Sequence, residues 1–190
     1  MKMRYSGLVF SILVLLWFTG CEEKVPYGKV GGHYSHFKKI SFHPERSISK
    51  VVVKQKEHKM FVYHKGKLIR TLPVSLGKNT MKKGPKVRQG DFCTPVGTYK
   101  ITSKRTHSIK YRAMDVSYPN AKDRTRAAKL GAKPGGYITI HGQPHWNKAG
   151  QGDFYTLKHD WTNGCIALTN KDLDWLWGGM RTGTTIVIER

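Results

Sequence analysis

The strongest constraint on the fold is a series of short β-branched runs separated by turn residues. Val51-Val52-Val53 leads into Met60-Phe61-Val62-Tyr63, Lys65-Gly66-Lys67 turns the chain, and Leu68-Ile69 and Leu72-Pro73-Val74-Ser75-Leu76 follow. Apolar runs of this length between turn residues predict a β-meander. Phe92 to Ile101 predicts a turn opening into a strand, with Thr94 biased to extended backbone by Pro95. Tyr137 to Ile140 predicts a buried strand and Thr184 to Ile188 a closing one. The clearest helix is Asn170 to Trp177, with Asn170 as cap, Asp172 and Asp174 near its positive end and Gly178-Gly179 after it. Lys78 to Gly90 reads as a polar, basic loop. Lys104 to Gly135 reads as loop with a short helix at Thr125 to Leu130, and Gln143 to Lys158 as a long irregular insertion. There are no internal repeats. The expectation is a mainly β single domain with one or two short helices.

The first twenty residues predict a targeting segment. Lys2 and Arg4 open it, Tyr5 to Phe18 is apolar apart from Ser6, Gly7 and Ser11, and Phe18-Thr19-Gly20-Cys21 closes it. The apolar run is short for a membrane-spanning helix. Small residues before a cysteine are similar to a bacterial lipobox, although Phe18 departs from the usual aliphatic residue. Cys21 is therefore expected to be the lipidated first residue of the mature chain, with an ordinary signal peptide or a retained anchor as alternatives. Glu22 in place of an aspartate leans toward an outer membrane. Residues 21–46 read as a tether and 47–190 as the catalytic domain.

Charge bounds the partners. The chain has a formal net charge of +22, and loss of Lys2 and Arg4 with the signal leaves +20. So basic a surface suits a polyanion. Behind an export signal that means anionic cell-wall polymer, anionic lipid headgroups or peptide carboxylates, and not nucleic acid. The basic stretch from Lys78 to Arg88 is one candidate contact, or a solvated face.

Of three cysteines, Cys21 is assigned to the signal. Cys93 and Cys165 remain, as free thiols or as a disulfide that would consume the nucleophile. Cys165 lies in Trp161-Thr162-Asn163-Gly164-Cys165-Ile166-Ala167, after Ile138-Thr139-Ile140-His141-Gly142. A thiol set in a glycine turn, with a histidine at a strand end, is the equipment for thiol acyl transfer: the thiolate attacks and the imidazole moves the proton. His145 and His159 compete with His141 as base. Together the three do not fit a standard zinc spacing. Neither metal nor organic cofactor is implied.

With those residues in place, the chain resembles the L,D-transpeptidase catalytic domain, the YkuD type. Four blocks match in order: the hairpin from Lys50 to Gly77; Gly90-Asp91-Phe92-Cys93-Thr94-Pro95-Val96-Gly97-Thr98-Tyr99; Ile140-His141-Gly142; and Asp160 to Leu168. The resemblance implies a β-sandwich and acyl transfer on peptidoglycan stem peptides, in which a thioester formed at an L,D bond passes to an amine. A murein peptidase using water on the same fold is the alternative. It also implies Cys165 as nucleophile, His141 as general base and acid, and the Gly142 carbonyl as the group orienting the His141 ring. Gly164 and the Cys165 amide are expected to form the oxyanion site, with Asn163 beside them. Thr162 is expected to position the loop or a substrate amide, and Trp161, Tyr155 and Trp146 either to line a groove or to build core. Trp175 and Trp177 are expected to pack the helix, and Asp91 and Thr94 to tie their turn.

Three departures stand out. Asn163 replaces a histidine often found two before the cysteine, and Ala167 replaces the arginine or asparagine often found two after it. The interval from His141 to Cys165 is long. The Asp160-Trp161-Thr162 lead-in marks a subgroup in which cleavage of wall-linked groups is an alternative to cross-linking.

Overall fold

The computed structural model describes residues 40–107, 111–144 and 156–190. The meander is present as β1 (Lys50–Lys54), β2 (Lys59–His64) and β3 (Lys67–Pro73). Val51, Val52 and Val53 are all buried because β1 is not an edge: it pairs antiparallel with β2 and parallel with β8 (Thr185–Glu189). A strand covered on both faces reads as continuous apolar sequence. β4 (Gly97–His107) pairs with β8 over its first residues and with β5 (Tyr111–Val116) over the rest. β6 (Thr139–His141) and the two-residue β7 (Ile166–Ala167) complete an eight-stranded sheet of order β3-β2-β1-β8-β4-β5-β6-β7.

The sandwich halves are thus parts of one sheet, with β4 belonging to both. The sheet also curls toward closure. Beyond β3, the Ser75 amide donates to the Ala167 carbonyl at 2.9 Å and the Ala167 amide to the Ser75 carbonyl at 2.8 Å. This near-closure brings the end of the meander against the cysteine strand. Met60, Val62 and Leu72 share one apolar core with Met114, Ile140, Ile166, Ile186 and helix residues Leu173 and Leu176.

Among the described residues the sheet is flanked by α1 (Thr80–Lys83), α2 (Ala121–Lys129) and α3 (Asn170–Gly179). The predicted loop from Lys104 to Gly135 instead contains the second half of β4, all of β5 and α2. α2 starts at Asn120, whose side chain accepts from the Asp123 amide while Asp123 accepts from the Asn120 amide, a reciprocal capping box. α3 is capped by Thr169 rather than by Asn170. Asn170 is used differently: its Oδ1 accepts from the Gln143 amide at 2.9 Å. At the far end of α3, the Lys104 ammonium donates to the Trp177 and Met180 carbonyls at 2.6 and 2.8 Å. Burial, with Arg112 nearby, pulls the pKa of Lys104 down to about 8.

Residues 40–46, read as tether, already touch the domain. Pro44–Arg46 forms a 3-10 turn, and the His43 and Ile48 amides donate to the Gly178 and Gly179 carbonyls. The Lys78–Gly90 stretch is less solvated than expected. It contains α1, and Lys86 is buried against Asp91. The signal segment, Cys21, His145, Trp146 and Tyr155 lie outside the described residues. Among the described residues, no helix is long and apolar enough to cross a membrane.

Candidate active site

Parallel pairing of β6 and β7 sets the register Ile140↔Ile166 and His141↔Ala167. One step back along both strands lie Thr139 and Cys165. Side chains two apart share a face, so Thr139, His141 and Cys165 are on one side of this strand pair. The Thr139 hydroxyl donates to Cys165 Sγ at 3.5 Å, and the thiol donates to the Tyr137 carbonyl at 3.5 Å. Cys165 is 7% exposed and His141 fully buried.

The imidazole is held from two sides. Its Nδ1 lies 2.7 Å from the Gly142 carbonyl. A carbonyl only accepts, so the proton is on Nδ1 and the neutral ring keeps its basic lone pair at Nε2. The Trp161 ring meets it edge to face, with centroids 5.5 Å apart. Gly142 is required by space. A Cβ there would stand 2.4 Å from Asn170 Oδ1, 3.1 Å from Tyr111 Cβ and 3.2 Å from Leu173 Cδ2. α3 and β5 therefore press on the residue whose carbonyl fixes the His141 ring. Tyr111 and Arg112 bind the Asp174 carboxylate at 2.6 and 2.8 Å, which locks α3 to β5 behind the histidine.

The turn before the cysteine is fastened by Thr162. Its hydroxyl donates to the Cys165 carbonyl at 2.7 Å and accepts from the Gly164 amide at 3.2 Å. Thr162 thus positions the loop. The Gly164 amide, expected as an oxyanion donor, is engaged inside the turn. Asn163 is exposed and faces a cleft described below. Backbones cross closely beneath this turn. A Cβ on Gly77 would fall 2.4 Å from the Phe92 carbonyl oxygen and 2.9 Å from the Gly164 Cα. Asp160 anchors the lead-in, accepting from the Leu76 amide at 2.8 Å and meeting His58 Nε2 at 3.0 Å.

The second block ties rather than binds. The Thr94 hydroxyl accepts from the Gly77 amide at 2.9 Å, and the Thr94 amide donates to the Thr80 hydroxyl at 2.9 Å. Asp91 collects the Lys86 ammonium at 2.8 Å and the amides of Val87, Arg88 and Cys93. Burial pushes the Asp91 carboxyl up, but donation from Arg88, Lys86, Val87 and Cys93 outweighs it and holds it below the usual carboxylate range.

Cys93 and Cys165 are both free thiols, so no disulfide joins them. Burial, with the Asp91 charge, pushes the Cys93 thiol up and away from the nucleophilic thiolate. His159 is exposed. Thr139 was not singled out from sequence, although its place two before His141 on a strand is the signal that finds it. Among the described residues, no three His, Cys, Asp or Glu side chains are grouped to hold a metal ion.

The family model of the L,D-transpeptidase catalytic domain, YkuD, matches residues 49–188, well over half of the chain. The chain belongs to that family. It is similar to YafK of Escherichia coli K12, whose name carries L,D-transpeptidase as an unproven activity. The two are 33% identical over 93 residues, 48% of this chain and 29% of YafK. It also resembles the crystal structure of the helical cell shape determining protein Pgp2 from Campylobacter jejuni. There the identity is 26%, the TM-score 0.55, and the match covers 82% of this chain and 52% of Pgp2. Bd1075 of Bdellovibrio bacteriovorus shares the fold at 22% identity and a TM-score of 0.52, over 79% of this chain and 50% of Bd1075. The chain thus spans less than a third of YafK and about half of the other two.

Proposed function

We propose that this L,D-transpeptidase-family chain is a cysteine-dependent acyltransferase acting on peptidoglycan stem peptides. The observation that carries the reading is the β6–β7 register, which sets Cys165 and His141 on one face with Nδ1 already committed to Gly142. In the reaction, His141 Nε2 accepts the Cys165 proton and the thiolate attacks the carbonyl of an L,D peptide bond. The oxyanion is met by the Cys165 amide and Asn163, one such donor being worth about 3 kcal/mol in the transition state. The protonated imidazole then hands its proton to the leaving D-residue amine, and a thioester remains. An incoming amine, deprotonated by the same nitrogen, takes the acyl group and releases the thiol. Export, a lipid anchor at Cys21 and contact with anionic wall polymer or headgroups complete the proposal.

The test is incubation of purified disaccharide-tetrapeptide with the full chain, read by mass spectrometry. Dimer formation or exchange of the terminal D-residue is the expected result. Shortened monomer alone would assign water as the acceptor and make the chain a peptidase. Cys165→Ala is expected to abolish turnover with the fold kept; unchanged turnover would retire the thiol mechanism. A carbapenem, whose strained lactam carbonyl invites thiol attack, is expected to add its mass to wild type and not to Cys165→Ala.

A further inference from the structure

A cleft of about 650 Å³ opens beside the nucleophile. One wall is the 86–92 segment and the other the 133–137 segment, with Asn163 between them. The walls are tied to each other and to the body. The Gln89 amide donates to the Lys133 carbonyl at 2.8 Å, and the Tyr118 hydroxyl donates to the Pro134 carbonyl at 2.9 Å. The cleft adjoins the thiol's surroundings, because its rim residue Tyr137 supplies the carbonyl that Cys165 Sγ contacts and Asn163 stands two residues before the cysteine. Whatever is acylated at Cys165 has this space beside it.

Its charge is one-sided. Its lining includes two lysines and no carboxylate. Lys86 is neutralised, since its side chain is 4% exposed and its ammonium is bound to Asp91. Lys133 is exposed and has no carboxylate partner among the described residues. Both aromatic residues of the cleft, Phe92 and Tyr137, hold left-handed backbone, at φ 56 and 57°. That conformation is unfavourable for bulky side chains, and such strain gathers at ligand clamps. Tyr137 is also 95% exposed, so the fold gains little from burying its ring. A glycine would suit the backbone better; a tyrosine there has a use only in contact with something outside the chain.

We propose that this cleft binds the peptide part of the substrate through a free carboxylate on Lys133, with the Tyr137 ring as the surface the chain lies on. Lys133 is a specificity residue in this account. The proposal rests on the peptide-substrate reading above. Its test uses full-length Cys165→Ala protein, which binds without turning over, and two synthetic stem tetrapeptides, one with free carboxylates and one with those groups as carboxamides. Calorimetry is expected to show roughly tenfold tighter binding of the carboxylate form, the scale of a hydrogen bond to a charged group in a partly dry site. Adding Lys133→Gln is expected to erase that preference while leaving the carboxamide affinity unchanged. Adding Tyr137→Gly is expected to raise the melting temperature and weaken binding of both peptides, a pair of shifts that a purely structural tyrosine would not give. Equal affinity for the two peptides, a preference that survives Lys133→Gln, or binding of neither peptide overturns the proposal. Turnover of disaccharide-tetrapeptide by wild type, measured separately, decides the acyltransfer reading, so the two can fail independently.

Discussion

Thr139 meets the sulfur of the proposed nucleophile directly. Its hydroxyl donates to Cys165 Sγ from a buried position on the neighbouring strand. A donor aimed at sulfur makes a charge-assisted hydrogen bond once the sulfur carries charge, so its removal leaves the attacking atom less well held. Thr139→Val keeps the shape and removes the donor. It is expected to lower kcat/KM for disaccharide-tetrapeptide about tenfold with the melting temperature unchanged. A kcat/KM equal to that of wild type would assign Thr139 to packing alone. Asp91 acts on the scaffold instead. Its carboxyl titrates below the usual range in the folded chain, so its stabilising effect is present at neutral pH and lost as pH falls through that lower folded value. Asp91→Asn leaves the buried Lys86 ammonium without its partner, and such breaks cost about 3 kcal/mol or more. Urea unfolding at pH 7 is expected to show that gap, and at pH 3 a smaller one. A gap of constant size across that range would contradict the ion-pair account.

At the scale of elements, the site is a crossing of backbones that only glycine permits. Gly77→Ala would set a methyl group against the Phe92 carbonyl and the Gly164 Cα, both backbone, so no side chain can rotate away. The expected cost is about 2 kcal/mol or more in unfolding free energy. A loss of turnover is expected beyond what the unfolded fraction explains, because Gly164 leads directly into Cys165. A variant as stable and active as wild type would mean the crossing is loose. The same elements mark where sequence was readable. β1 to β3 and β8 were visible because their apolar runs are unbroken or alternate between clear turns. The end of β4 and β5 were not, because Arg105, Arg112 and Asp115 occupy strand positions through pairing. Arg112 is buried against Asp174, sixty-two residues away, and beside the Trp177 ring. The Asn120-Asp123 box was a local signal for α2 that was available and passed over. The cysteine, the histidine and its glycine were legible because each belongs to a short motif. The cleft was not, since its walls meet through contacts such as the Gln89–Lys133 backbone hydrogen bond that no local pattern encodes.

For the whole molecule, charge is the property that bounds its partners. There are 34 lysines and arginines against 12 acidic residues. Asp91, Asp115, Asp123, Asp160, Asp172 and Asp174 each already have a basic partner. Much of the remaining cationic surface, including Lys122, Arg124 and Lys129 on α2 and Lys82 and Lys83 on α1, is exposed to solvent. A field of this kind attracts polyanions over a distance set by salt, about 10 Å at 0.1 M. Capture on intact cell-wall sacculi carrying anionic polymer is therefore expected to fall steeply between 50 and 500 mM salt. It should be the same for wild type and Cys165→Ala, since the thiol contributes no charge to it. Turnover of sacculi is expected to fall with capture, while turnover of soluble disaccharide-tetrapeptide, which meets only the local cleft, should fall much less. Equal salt sensitivity of the two substrates would place the ionic contact in the active-site cleft and leave the basic surface without a part in wall binding.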